Sequence, residues 1–132
     1  MKLVVNVDGG ARGNPGPAAV GVVVATPEGE VLAEASETIG SATNNVAEYR
    51  ALLRGVELAI ECGGTDVQFY GDSELVVKQI LGAYRVKDAG LKPLFGQVKA
   101  ALDGIDSWSL AHVRREQNAR ADALVNAALD AA

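Results

Sequence analysis

Apolar residues fall along the chain in two different rhythms. Residues 2–8 (KLVVNVD), 20–26 (VGVVVAT) and 31–39 (VLAEASETI) are β-branched or alternate apolar with polar, and Pro27-Glu28-Gly29 separates the second run from the third. They read as three antiparallel strands. Between Asn44 and Cys62 the spacing changes: Tyr49, Leu52, Leu53, Val56, Ala59 and Ile60 recur every three or four positions until Gly63-Gly64 ends the pattern. This predicts a long amphipathic helix. Residues 65–71 then read as a strand, 73–81 as a short helix, 91–102 as a helix after the turn-like KDAG, 105–113 as a strand and 117–130 as a last helix. The order βββαβααβα, with short connections and no repeat, implies one α/β domain over residues 1–132: a mixed five-stranded sheet with helices on both faces.

Composition narrows the class. With 132 residues and 48% hydrophobic content, the chain carries enough apolar mass for its own core. No stretch has the form of a signal peptide or the length of a membrane span, so a cytoplasmic protein without membrane attachment is expected. The lone cysteine, Cys62, excludes a disulfide framework and a CxxC metal site and reads as a buried, inert thiol. A net charge of −5 argues against a purely electrostatic nucleic-acid binder. The charges are unevenly spread, however. Residues 1–77 hold four basic and eleven acidic side chains, whereas 78–102 hold Lys78, Arg85, Lys87, Lys92 and Lys99 against Asp88 alone. That cationic segment is either a solvated face or a polyanion contact.

Four acids invite local explanations. Asp8 ends the first strand and faces a Gly-rich turn, where Asp bonds nearby backbone donors. The segment lacks the GK[ST] of a P-loop and leads into a strand instead of a helix, so no nucleotide fold is supported. Glu48 lies in the first turns of the long helix beside its apolar stripe, with Asn44 and Asn45 available as caps. Asp72 follows a strand and precedes a helix, which suits an N-cap; the same position is a strand's carboxyl end, where open α/β sheets place ligands. Asp122, near the start of the last helix, is favoured by the helix dipole. Taken together, the four acids converge on one sheet edge if the first strand neighbours the strand ending at Asp72. Such a cluster without basic partners repels itself and calls for a hard divalent cation, most naturally Mg²⁺. Two such ions ~4 Å apart suit phosphodiester hydrolysis.

The stretches DGGARGNPGPAAVG (8–21), TNNVAEYRALLRGVELA (43–59), YGDSELVVKQILGAYRVK (70–87) and VRREQNARADALVNAAL (113–129) together resemble ribonuclease H type 1 over essentially the whole chain. The resemblance implies the ribonuclease H-like fold. It also implies that Asp8, Glu48, Asp72 and Asp122 bind two Mg²⁺ or Mn²⁺ ions and cut the RNA strand of an RNA/DNA hybrid, leaving 5′-phosphate and 3′-hydroxyl ends. Asn14, Asn44 and Asn45 match positions touching the hybrid's minor groove, where 2′-hydroxyls distinguish RNA. Gly9, Gly10 and Gly13 would let the backbone approach the RNA chain, with Arg12 and Ser73 as further substrate contacts and Asn118 near the scissile phosphate.

Two features depart from the better-studied bacterial members. Those carry a histidine in a flexible loop before the last acid, whereas RREQNARAD has none, and the only histidine, His112, falls in a predicted strand and reads as structural. Arg115 is the candidate for the loop role, acting by charge because arginine cannot shuttle a proton at neutral pH. The basic protrusion of some relatives is also missing: GAYRVKDAGLKP is too short, leaving Arg85, Lys87 and Lys92 as substitutes. Trp108 reads as a core or sheet-face residue. A monomeric enzyme acting on RNA/DNA hybrids is expected. The alternatives are a non-catalytic nucleic-acid-binding module and another nuclease of the same superfamily.

Overall fold

A computed structural model describes all of residues 1–132. Its elements are β1 (Lys2–Ala11), β2 (Gly16–Ala25), β3 (Val31–Ala42), α1 (Asn44–Glu61), β4 (Asp66–Gly71), α2 (Glu74–Ile80), α3 (Lys92–Leu102), β5 (Ser107–His112), a 3₁₀ turn (Arg115–Gln117) and α4 (Ala119–Ala131). The sheet order is β3-β2-β1-β4-β5. The β3-β2-β1 pairs are antiparallel, and the β1-β4 and β4-β5 pairs are parallel. The expected element order and mixed five-stranded sheet are both present.

Alternation along the central strands divides the molecule into layers. Leu3, Val5 and Val7 of β1, Val20, Val22 and Val24 of β2, and Val67 and Phe69 of β4 join Tyr49, Leu52 and Val56 of α1 in one cluster of 23 buried residues. Val76, Val77 and Ile80 of α2 and Val98 and Leu102 of α3 complete the same layer. Across the sheet, α4 rests on a separate cluster of four: Ala19, Val125, Ala128 and Leu129. A buried hydrogen bond from the Tyr49 hydroxyl to Gln79 ties α1 to α2, as a buried polar pair requires.

Two glycines set how closely the layers approach. A side chain at Gly9 would collide with the Ala47 carbonyl and stand 2.7 Å from the Glu48 nitrogen, so the start of α1 rides directly on β1. A side chain at Gly21 would collide with the Ala121 carbonyl and stand 3.0 Å from Leu124 Cβ, so α4 lies directly on β2.

Several boundaries differ from the sequence reading. β1 continues to Ala11 because β2 remains its antiparallel partner through Ala11–Ala18, so Gly9 and Gly10 are strand, not turn. The parallel ladder to β4 stops earlier, at Val7–Gly71. Thr43, not an asparagine, caps α1, its hydroxyl accepting from the Val46 N–H at 3.2 Å. α4 begins at Ala119, after the 3₁₀ turn. Cys62 is half-exposed at the end of α1 instead of buried. Trp108 packs half-buried against the main core, with Lys99 Nζ 5.9 Å from its ring centroid. No helix is long and apolar enough to cross a membrane.

The close approach at Gly21 makes α4 docking sensitive to volume. Gly21→Val is expected to cost roughly 3 kcal/mol in urea unfolding, since a backbone carbonyl cannot step aside as a side-chain tip can; a change within error would show that α4 is not seated on β2.

Candidate active site

Beyond the last β1-β4 pair, each strand delivers an acid. Asp8 is one residue past Val7 and Asp72 one residue past Gly71, so the parallel register sets both at the same height. Period-two alternation turns Asp8 to the α4 side while Gly9 meets α1. Glu48 arrives from α1 through that contact. One oxygen from each of Asp8, Glu48 and Asp72 lies within 4.8 Å of the others. Asp122, in the first turn of α4, joins them from the opposite layer, and both Asp72 and Asp122 are within hydrogen-bonding reach of Asp8.

This crowding shows in the protonation equilibria. Burial first, then the Asp72 and Asp122 carboxylates, push Asp8 up to about 8 from an ordinary 3.8. Burial first, then Asp8 and Asp72, push Glu48 up to about 9 from 4.5, against a lowering hydrogen bond from the Gly9 backbone. The only ion pair to any of the four is Arg115 Nη2 to Asp122 Oδ1 at 3.4 Å, and the arginine side chain is 77% exposed. Such a solvated pair neutralises little. Clustered carboxylate oxygens with no buried counter-charge are the donor set of a hard divalent cation, so these residues fit a metal site.

Asp8, Glu48, Asp72 and Asp122 line one open cleft of about 510 Å³ with Gly9, Gly10, Arg12, Asn44 and Arg115. Arg12 is also paired with Asp130 of α4 at 2.6 Å. Asn44 and Asn14 bond the hairpin to α1: Asn44 Oδ1 accepts from the Ala11 N–H at 2.9 Å, and Asn14 Oδ1 accepts from the Asn44 N–H at 3.0 Å. Gly13, Asn14 and Asn45 are exposed outside the cleft lining. Ser73 Oγ caps α2 by accepting from the Val76 N–H at 3.3 Å, which leaves Asp72 free of the capping role suggested by its position.

Other expected contacts lie elsewhere. Arg85 borders a different cleft with Tyr84, Lys92 and Phe95, and Lys87 is exposed in the same segment. His112 ends β5 opposite Gly71, in the strand as expected, but exposed. Asn118 is a correction: it is 2% exposed, donates to the Val7 carbonyl at 2.9 Å and accepts from Asn6 Nδ2 at 3.1 Å, so its amide is committed inside the fold and does not face a substrate. The sequence reading missed Asn126, which lines the cleft with Nδ2 3.5 Å from Asp122 Oδ2. Its only signal is the four-residue spacing that puts it on the Asp122 face of the helix.

The fold and this carboxylate cleft define a class. Residues 6–128 match the family model described as reverse transcriptase-like. The ribonuclease HI of Halobacterium salinarum is 50% identical over 93% of this chain, which spans 62% of that relative's length and 36% of the mycobacterial proteins it also matches. The crystal structure of the RNase H1 from H. salinarum superposes with a TM-score of 0.97 at 47% identity, covering 100% of both chains. The compost-derived LC11-RNase H1, solved in complex with an RNA/DNA hybrid, superposes at 0.92 with 43% identity over 98% of this chain and 97% of that one. The chain belongs to the ribonuclease H family, in its type 1 branch.

Because Asp8 and Glu48 hold protons more tightly folded than unfolded, their contribution to stability is complete below about pH 4 and is lost as pH rises through 8 to 9. Melts in EDTA are expected to show the metal-free protein weakening from pH 6 to pH 9, with Asp8→Asn flattening the decline and raising the melting temperature at pH 9. A pH-independent difference between the two proteins would contradict the crowded, uncompensated cluster.

Proposed function

We propose that this chain is a metal-dependent endoribonuclease that hydrolyses the RNA strand of RNA/DNA hybrids, giving 5′-phosphate and 3′-hydroxyl products. The observation that carries the reading is the convergence of Asp8, Glu48, Asp72 and Asp122 in one open cleft with no buried cation beside them. Support for the substrate comes from the hybrid bound by LC11-RNase H1. The reading extends to the 132 residues acting as one catalytic domain, as a monomer, in the cytoplasm.

Asp8, Glu48, Asp72 and Asp122 would hold the cofactor, Mg²⁺ or Mn²⁺, two ions with substrate bound. When bound, these ions supply the acidity that ionises an attacking water and the positive charge that balances the departing 3′ oxygen. The protein's own contribution is placement. The strand backbone at Gly9 and Gly10 offers a surface without side chains to the RNA sugar-phosphate chain, and Asn44 stands beside it on the cleft wall. Asn14, Asn45, Arg12, Gly13 and Ser73 extend the same contact outward. Arg115, exposed on the 3₁₀ turn next to Asp122, balances phosphate charge and helps the cleaved end depart. The separate cleft at Arg85, with Lys87 and Lys92 near it, takes the phosphates of the hybrid farther from the cut.

With Mg²⁺ or Mn²⁺ present, internal cuts are expected in 5′-labelled RNA hybridised to DNA, and none in the same RNA alone, paired to RNA, or in an all-DNA duplex. Asp72→Asn is expected to lower kcat roughly a thousandfold or more while the protein stays folded. Near-normal cleavage by that variant would defeat the assignment; hybrid binding without cleavage by the unaltered protein would favour a binding module. Arg85→Ala and Lys87→Ala are each expected to raise KM with kcat unchanged and to flatten the salt dependence of binding by about one unit of slope. An unchanged slope would remove this segment from the hybrid path.

A further inference from the structure

Asn118 occupies the N-cap of α4, where an asparagine ordinarily accepts a hydrogen bond from the helix's own first amides. Here its side chain caps nothing. It crosses to β1 instead, donating from Nδ2 to the Val7 carbonyl at 2.9 Å and accepting from Asn6 Nδ2 at 3.1 Å. The Val7 carbonyl can only accept, which fixes the orientation of the Asn118 amide. Asn118 is 2% exposed and its bond to the Val7 carbonyl is buried, while the bond from Asn6 is partly buried.

Both ends of the clamp adjoin a cluster acid. Val7 immediately precedes Asp8, and the backbone carbonyl of Asn118 accepts the N–H of Asp122 at 3.1 Å. A short chain of hydrogen bonds therefore runs from the strand carrying Asp8 to the helical turn carrying Asp122. The close seat of the Ala121 turn on Gly21 sets the height of α4 above β2. The apolar cluster beneath the helix has only four residues, three of them at Val125 or beyond, so the tie from this turn to β1 is left to the Asn118 clamp. Glu48 and Asp72 are held independently, through α1 and the β4 ladder in the main core.

We propose that Asn118 is a positioning residue that fixes the Asp122 carboxylate opposite Asp8, so that the cation place between those two acids depends on it while the place among Asp8, Glu48 and Asp72 does not. This rests on the metal-dependent reading above. It assigns Asn118 to ion geometry instead of to substrate.

The test uses Asn118→Ala and Asn118→Leu, the second keeping the side chain's bulk without its hydrogen bonds, each alone and combined with Asp122→Asn. Mn²⁺ binding to the hybrid-free protein is measured by calorimetry, and the Mn²⁺ dependence of hybrid cleavage is measured alongside, with circular dichroism as the folding control. Both single variants are expected to raise the half-saturating Mn²⁺ concentration for cleavage about tenfold, the usual effect of losing a group that orients a ligand. KM for the hybrid is expected to stay within about twofold of the unaltered protein. Adding either substitution to Asp122→Asn is expected to leave that protein's calorimetric Mn²⁺ affinity unchanged, since the remaining three acids are anchored elsewhere. An unaltered Mn²⁺ dependence overturns the proposal, as does normal behaviour of Asn118→Leu, which would reduce Asn118 to a space filler. An equal loss of affinity with and without Asp122 also overturns it, by showing a general structural effect. If the unaltered protein neither binds Mn²⁺ nor cleaves, the metal-dependent reading falls and this inference with it; binding and cleavage by the unaltered protein, with indifferent variants, removes this inference alone.

Discussion

Carboxylates gathered in a partly buried cleft repel one another, and the rest of the molecule is arranged to hold them against that repulsion. No single element contains the site. Asp8 and Asp72 are brought level by the parallel pairing of β1 with β4, Glu48 by the contact of α1 with a bare stretch of strand at Gly9, and Asp122 by a helix on the other face of the sheet. Burial first and the neighbouring carboxylates second raise the proton affinities of Asp8 and Glu48, so in the metal-free fold a bound proton relieves the repulsion that no buried cation offsets.

The two faces of the sheet anchor their acids differently. On the α1 side, a 23-residue core makes the position of Glu48 a by-product of ordinary packing. On the α4 side the apolar cluster is small, and polar ties add to the close seat of the helix on Gly21: Arg120 forks onto Glu34 at 2.9 and 3.0 Å, Ser36 Oγ donates to the Leu124 carbonyl at 2.6 Å, and Asn118 reaches β1. Apolar packing tolerates small shifts, whereas hydrogen bonds fix direction. The site thus combines an acid held by a large apolar core with one held by a small packed seat and directed bonds together.

Much of this was legible in the sequence. The alternating and helical periods yielded every strand and helix in order, because each element buries one face and its pattern records which one. The four acids stood out as a set once the strand ending at Asp72 was taken to neighbour the first. What escaped was decided by tertiary partners. Gly9 and Gly10 look like a turn until β2 is seen to extend the strand past them. Asn44 and Asn45 look like caps, yet Thr43 has the extended backbone that capping needs, and Asn44 turns to the hairpin. Asn118 carries no local mark of burial, since the carbonyl it satisfies lies 111 residues away in the chain. Asn126 is a single polar residue in an alanine-rich helix, visible only by its spacing from Asp122.

The spread of the four acids, from position 8 to position 122, also gives the chain a timing property. A ribosome releases residues in order, and a tunnel-bound segment cannot dock on the sheet. The central strands and α1 can pair and pack while the α4 segment is still being made, but the cleft then lacks its fourth wall and Asp122. A nascent chain therefore completes the four-acid cluster only after the α4 segment has left the tunnel and docked on the sheet, so the order of synthesis makes Asp122 the last of the four acids to arrive.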